Sequence, residues 1–169
     1  FLYLIMDLFS RKIVGWEVHE NESAVHSTAL VQRTVWAEGC IDRPLVLHGD
    51  NGSPLKGQTV QAMLGKLGIT PSFSRPRVSD DNAFVESLFR TCKYVPNFPR
   101  AGFASLTAAR DWVRDFVDGY NRHHLHRGIN YVTPDQRHRG EDAEVLARRH
   151  EIYQAARRQN PARWSGGTR

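Results

Sequence analysis

Five residues, Pro44 to His48 (PLVLH), form an apolar run followed at once by Gly49-Asp50-Asn51-Gly52. A run this short, opened by proline and closed by turn residues, suits a fully buried strand ending in a tight turn. The flanking sequence supplies the rest of a layered fold. Phe1 to Asp7 is apolar and β-prone, and Phe9-Ser10-Arg11-Lys12 reads as a turn. Ile13 to His19 then alternates, with Ile13, Gly15, Glu17 and His19 on one face and Val14, Trp16 and Val18 on the other. The spacing predicts an antiparallel hairpin with one buried face. Helices are predicted from the Asn21/Ser23 caps to Glu38, over Thr59 to Leu67, Asn82 to Val95, Leu106 to Tyr120, and Asp142 to Arg158. A short strand, Ile69 to Phe73, lies between the second and third, and Pro76 excludes helix from the polar stretch Ser74 to Asp80. Strands and helices alternate after an opening hairpin, which indicates an α/β fold with a mixed sheet. Trp16, Trp36 and Trp112 lie on apolar faces and read as core.

Apolar residues make up 40% of the 169, enough for a core, and charged residues 24%, ordinary for a soluble domain. No apolar run reaches the roughly 18 residues of a membrane helix. The opening FLYLIMDLFS carries no basic leader or small-residue cleavage site and reads as a strand entered midway in a fold. Cys40 and Cys92 lie far apart with no metal-ligand spacing, so both are expected to be reduced thiols in the cytoplasm. Of the net charge of +5, +4 sits between Arg137 and Arg169, where eight arginines face four acidic residues. A basic tail suits a polyanionic partner, and equally a solvated charged helix. We expect a domain at residues 1–140 and a basic helical extension at 141–169.

Two carboxylates stand out. Asp50 follows the buried strand directly, and functional groups collect at the carboxyl ends of strands in open α/β sheets. Taken alone, Asp50-Asn51-Gly52 reads more readily as a plain turn. Glu86 lies in the third helix. At about 100° per residue, Arg90 falls about 40° to one side of it and Lys93 about 20° to the other, with Phe84, Leu88 and Val95 opposite. A solvated Glu–Arg pair explains part of this pattern. It leaves unexplained the Ser79-Asp80-Asp81-Asn82 cap after a polar loop, and the aligned lysine two turns on.

The stretch LVLHGDNGSPLKG, followed by GITPSFSRPRVSDDNAFVESLFRTCKY, resembles the core of insertion-sequence transposases of the IS-three type, within the DDE superfamily that includes retroviral integrases. Asp50 matches the family's second acidic residue and Glu86 its third, with the characteristic 35 residues between them, and Lys93 matches the basic residue seven positions on. DLFSRKIVGW (Asp7 to Trp16), YNRHHLHRGINYVTPDQRHRG (Tyr120 to Gly140) and NPARWSG (Asn160 to Gly166) match in the same order. The resemblance implies a ribonuclease-H-like mixed sheet flanked by helices. Its first strand, which carries the first catalytic aspartate, precedes Phe1 and is absent from this sequence. Asp7 matches a different position and reads as a turn residue, paired with Arg11.

The implied chemistry is DNA cleavage and strand transfer. In-line attack at phosphorus needs an activated oxygen and a stabilised leaving oxygen, which two divalent ions can serve. Hard cations take oxygen ligands, so Mg2+ or Mn2+ would sit on Asp50 and Glu86, and no small-molecule cofactor is expected. The resemblance gives the bridging role to the aspartate absent here, so the 169 residues alone are expected to have little activity. Lys93 and Arg90 are assigned to substrate phosphates, with Arg75 and Arg77 as weaker candidates beside a solvated-loop reading. The partners implied are DNA, both transposon ends and target, and further copies of the chain, in a bacterial cytoplasm at the nucleoid. Two other readings stay open: a non-catalytic remnant that folds, binds DNA or self-associates, and a nuclease of the same fold that never joins ends. His123, His124 and His126 lack partner ligands at finger-like spacing and are not read as a zinc site.

Overall fold

The computed structural model describes residues 1–41, 43–50, 53–75 and 79–166. Four strands and seven helices follow in the order β1 (Leu2–Met6), β2 (Ile13–Val18), α1 (Ala24–Ala37), β3 (Leu45–Gly49), α2 (Ser53–Lys56), α3 (Gln58–Lys66), β4 (Ile69–Phe73), α4 (Ala83–Tyr94), α5 (Leu106–Arg122), α6 (Pro134–His138) and α7 (Asp142–Gln159). Antiparallel and parallel pairing are both present, in two separate two-stranded ladders. β1 runs antiparallel to β2 with a register shift at Ile5/Met6. β3 runs parallel to β4, from Leu45 opposite Ile69 to Gly49 opposite Phe73. The chain divides into two compact units. One comprises Phe1–Met6 and Ile13–Val117, the other Asp7–Lys12 and Asp118–Arg169.

In the first unit the core lies where α1 and α3 pack with the parallel ladder. Val31, Val35, Val60, Met63, Leu64 and Ile69 are buried together, with Leu45, Leu47 and Leu55 packed against them. Val60, Met63, Leu64 and Leu67 sit at i, i+3, i+4 and i+7, so one stripe of α3 meets the core. Removing the fully buried Val60 and Leu64 side chains from water contributes about 1.5–3 kcal/mol each. α1 starts as its sequence directs: the Ser23 hydroxyl accepts from Val25 N at 3.1 Å. Gly39 takes φ +61° just past the C-cap.

Burial departs from the sequence reading in β3 and on two helices. In β3, expected to be fully buried, Val46 is 67% exposed and Leu45, Leu47 and His48 are half-buried. Trp36 is 72% exposed, because the α1 surface that meets the core is set by Leu30, Val31, Thr34 and Val35. Phe84 is 52% exposed, and the buried face of α4 is carried by Leu88 and Cys92 instead. Helical angle alone did not show which part of the apolar arc meets a neighbour.

In the second unit the Asp7 carboxylate closes the β1–β2 turn, as read. The carboxylate meets Ser10 and His138, and Arg11 N donates to Asp7 O at 2.8 Å. It accepts from Phe9 N at 3.3 Å and Ser10 N at 3.0 Å, and His138 Nδ1 lies 3.4 Å away. Burial pushes the Asp7 pKa up, but these bonds and the Ser10 hydroxyl outweigh it and hold the group below its ordinary value. α6, absent from the sequence reading, is built on a capping box: Gln136 N donates to Thr133 Oγ1 at 3.2 Å, and Thr133 N donates to Gln136 Oε1 at 3.0 Å.

Gly15 marks the closest approach of β2 to α1. A Cβ there would lie 2.1 Å from Thr34 Oγ1 and 3.2 Å from Leu30 Cδ1. Thr34 is buried and its hydroxyl donates to Leu30 O at 2.8 Å, so it cannot swing away freely. Gly15→Ala is therefore expected to destabilise the chain by about 1–3 kcal/mol in urea unfolding. Thr34→Ala in the same background should recover part of that loss, and strictly additive effects would show that the contact is not the cause.

Candidate metal and phosphate site at the strand ends

The parallel register brings β3 and β4 to a common carboxyl end. Gly49 O accepts from Ser74 N at 3.0 Å, so the two chains leave the ladder side by side. Gly49 is buried, and a Cβ on it would lie 2.3 Å from Leu55 Cδ1, so a larger residue there would have to displace the Leu55 side chain of α2. Asp50 is the next residue and is exposed. His48, one residue before the end, turns both ring nitrogens toward serines of the neighbouring strand exit: Nδ1 is 2.9 Å from Ser72 Oγ and Nε2 is 3.5 Å from Ser74 Oγ. The sequence reading missed His48 because within PLVLH it counts only as part of a strand.

β4 leads into α4 through a segment whose two ends are tied together. The Asp81 carboxylate accepts from Arg75 N at 2.7 Å, Arg75 Nε at 2.9 Å and Arg75 Nη2 at 2.7 Å. This forked pairing suits the planar guanidinium. Asp81 lies in a short 3-10 turn, Ser79–Asn82, directly before α4. Glu86 stands in the first turn of α4, where the helix dipole favours a carboxylate.

Glu86, Arg90 and Lys93 are all exposed on α4, as the helical angles predict. Among the described residues no ion pair joins Glu86 to Arg90. The Arg90 guanidinium instead lies 5.8 Å from the centroid of the Tyr94 ring. Lys93 lines a cavity of about 450 Å³ with Val18, His19, Phe89, Phe98 and Trp112. Trp112 sits there in an aromatic cluster, stacked on Phe116 at 5.5 Å and edge-on to Phe98 at 5.4 Å. Arg75 is held by Asp81, and Arg77 lies outside the described residues. Of the HHLH histidines, His124 stacks on Tyr120 at 5.3 Å and His126 Nδ1 accepts from Gly128 N at 3.0 Å.

What the site can do follows from its donors. Asp50 and Glu86 offer only oxygen, which suits a hard divalent cation. Arg75, at the exit of β4, is already neutralised by Asp81. Arg90 and Lys93 are on the helix that carries Glu86.

Comparison with known proteins identifies the family. Residues 1–79 and residues 67–134 each match a family model described as the integrase core domain. The chain belongs to the integrase core family. It is 31% identical over 139 residues to the transposase for insertion sequence element IS904 of Lactococcus lactis, covering 79% of this chain and 53% of that protein. It is 28% identical over 137 residues to transposase InsF for insertion sequence IS3A of Escherichia coli, covering 80% and 47%. The chain thus spans about half the length of the curated relatives it matches. The fold is that of retroviral integrase catalytic cores, which are ribonuclease-H-like. The BIV integrase catalytic core domain aligns with TM-score 0.61 at 17% identity, over 86% of this chain and 89% of that one. The HTLV-2 integrase catalytic core domain in complex with magnesium, in its trimeric form, aligns with TM-score 0.55 at 17% identity, over 81% and 83%. Among the described residues no helix is long and apolar enough to cross a membrane.

The Arg75 hydrogen bonds and charge lower the Asp81 pKa from 3.8 to about 2. For a depressed carboxylate, the stabilising contribution is complete above the unfolded value and disappears as pH falls through the folded one. The tie between β4 and α4 should therefore persist to about pH 4 and release toward pH 2. In a carboxyl-carbon NMR titration the Asp81 midpoint should lie near 2 and return toward its ordinary value in Arg75→Ala. An unmoved midpoint in that variant would disprove the tie.

Proposed function

We propose that this core carries out metal-dependent DNA cleavage and strand transfer during transposition, with Asp50 and Glu86 holding Mg2+ or Mn2+. The observation that carries the reading is the in-register β3–β4 ladder. It sets Asp50 at the strand exit beside the chain that Arg75 and Asp81 guide into α4. The metal would supply charge neutralisation at the reacting phosphate and a lowered pKa for the attacking oxygen. The protein's own groups hold and orient. Asp50 and Glu86 provide hard oxygen ligands. His48, bracketed by Ser72 and Ser74, is a positioning residue that fixes the strand end one residue before Asp50. Lys93 and Arg90 meet substrate phosphates, and phosphate contacts set the register of DNA without reading its bases. Arg75 acts here through Asp81, so its role is to orient the loop first and to meet phosphate second, and Arg77 joins it as a weaker phosphate contact.

Residues 1–140 form the catalytic core in this reading, and 141–169 a basic extension. Some of the charge from Arg137 onward is used internally. Arg137 pairs with Asp142, and Arg149 donates to Asn130 O at 2.6 Å and Tyr131 O at 2.9 Å. Arg148, Arg157, Arg158 and Arg163 are exposed and remain for the DNA backbone. The protein works as an oligomer on transposon ends and target DNA in the bacterial cytoplasm, at the nucleoid.

Measured on the complete gene product with a labelled transposon end, Asp50→Asn and Glu86→Gln should each lower magnesium-dependent cleavage by about a hundredfold or more, since lost metal stabilisation amounts to several kcal/mol. Wild-type rates in either variant would remove the assignment. Arg157→Ala with Arg158→Ala should weaken DNA binding alike across sequences and reduce the salt slope by about 2. An unchanged slope would return the tail to the solvated-helix reading.

A further inference from the structure

Away from the strand-end carboxylates, β2 and α1 of the same unit bring together three side chains of a different chemistry. Glu17 lies in β2, His19 just beyond it, and His26 in the first turn of α1. One ligand atom from each can be chosen so that all three lie within 4.8 Å of one another. We propose that Glu17, His19 and His26 form a binding site for a divalent transition-metal ion of the zinc type.

Two imidazoles and one carboxylate are the donor set of a borderline cation, and magnesium is a poor match for it. The Glu17 side chain is nine-tenths buried, at 10% exposure, and that of His19 is 21% exposed. Glu17 Oε1 has no aligned hydrogen bond and is met only by the charge of Arg33. Glu17 Oε2 faces His19 Nε2. The carboxylate is thus split as metal-ligating carboxylates commonly are, with one oxygen for the ion and the other oriented by an outer partner.

The histidines are held side by side, and one ring must turn out of the stack for both lone pairs to reach one ion. The His19 and His26 rings stack at 3.6 Å with 7° between their planes, and Tyr3 sits edge-on to both at 5.8 and 6.3 Å. The Tyr3 hydroxyl also accepts from Ser23 N at 2.8 Å, which ties the start of α1, and so His26, to β1. Zinc bonds of about 2.0–2.2 Å put ligand atoms about 3.3–3.6 Å apart, against the present separations of up to 4.8 Å, so binding turns one imidazole about its side-chain bonds and draws the three ligands together. The ion takes the place of the hydrogen bond between His19 Nε2 and Glu17 Oε2, and clamps the end of β2 to the first turn of α1. A solvent molecule completes four ligands.

The test is zinc chloride titrated calorimetrically into the chelator-stripped chain in excess magnesium. One zinc per chain is expected to bind. His26→Ala and Glu17→Gln should each lower the affinity by at least about tenfold, and His124→Ala should leave it unchanged. In wild-type NMR spectra, zinc should shift the ring signals of His19 and His26 first, a readout that holds even if a variant misfolds. Absence of stoichiometric binding, an affinity unchanged in both site variants, or first shifts at His123, His124 or His126 would overturn the proposal. The strand-end reading would survive any of these results, since it shares no residue with this site.

Discussion

The parallel pairing of β3 with β4 is the constraint on which the strand-end site depends. Parallel strands carry no turn of their own, so their ends can be aligned only by a crossover packed against them. α3 supplies it, through Val60, Met63 and Leu64 seated with Val31 and Val35 of α1. That core holds Leu45 opposite Ile69, and the register then carries Gly49 to Phe73 without slippage. A one-residue slip would move every inward side chain to the other face and aim Asp50 elsewhere. The apolar core thus places the carboxylate, although it contains no part of the chemistry.

The step from sheet to helix rests on a second, polar constraint. An exposed ion pair is worth little to stability. The value of the Arg75–Asp81 contact lies in its geometry, because three hydrogen bonds to one carboxylate fix the exit of β4 against the entry of α4. Arg75 was read from the sequence as a loop cation available to phosphate. The structure shows its backbone N, Nε and Nη2 spent on Asp81, so it shapes the path to Glu86. A formal charge read from sequence overstates what a ligand meets wherever the cation has a partner of its own, and Arg137 and Arg149 in the tail make the same point.

Much of this fold was legible because its signals are local. Ser23 as a cap, Gly39 and Gly68 as stops, and the i, i+3, i+4 stripe of α3 each act within a turn or two of chain. Asp50 was legible for the same reason, as the residue after a short apolar run closed by turn residues. What escaped depends on distant partners. Trp36 looks like core on a helical wheel, yet it faces outward, because which arc of α1 is covered depends on β2 and α3. His48 gains its serines only through strand pairing. Glu17, His19 and His26 were noted only as parts of an alternating strand and a helix, and their convergence needs β2 and α1 to pack at Gly15.

That packing gives Gly15 a reach beyond its own position. With no Cβ on β2 there, α1 approaches close enough for Arg33 to meet Glu17 and for His26 to stack on His19. A side chain at Gly15 would push the helix outward and separate the imidazole of α1 from the ligands of β2 before it disturbed the β3–β4 ladder. The two sites in this unit therefore depend on different contacts. The oxygen site rests on the parallel register and the Arg75–Asp81 tie, the nitrogen-rich site on one glycine. Their donor sets also favour different ions, since Asp50 and Glu86 offer no nitrogen and Glu17 brings two histidines with it. A hard ion and a borderline ion could be held in one small domain without competing, because ligand type separates them where affinity alone would not.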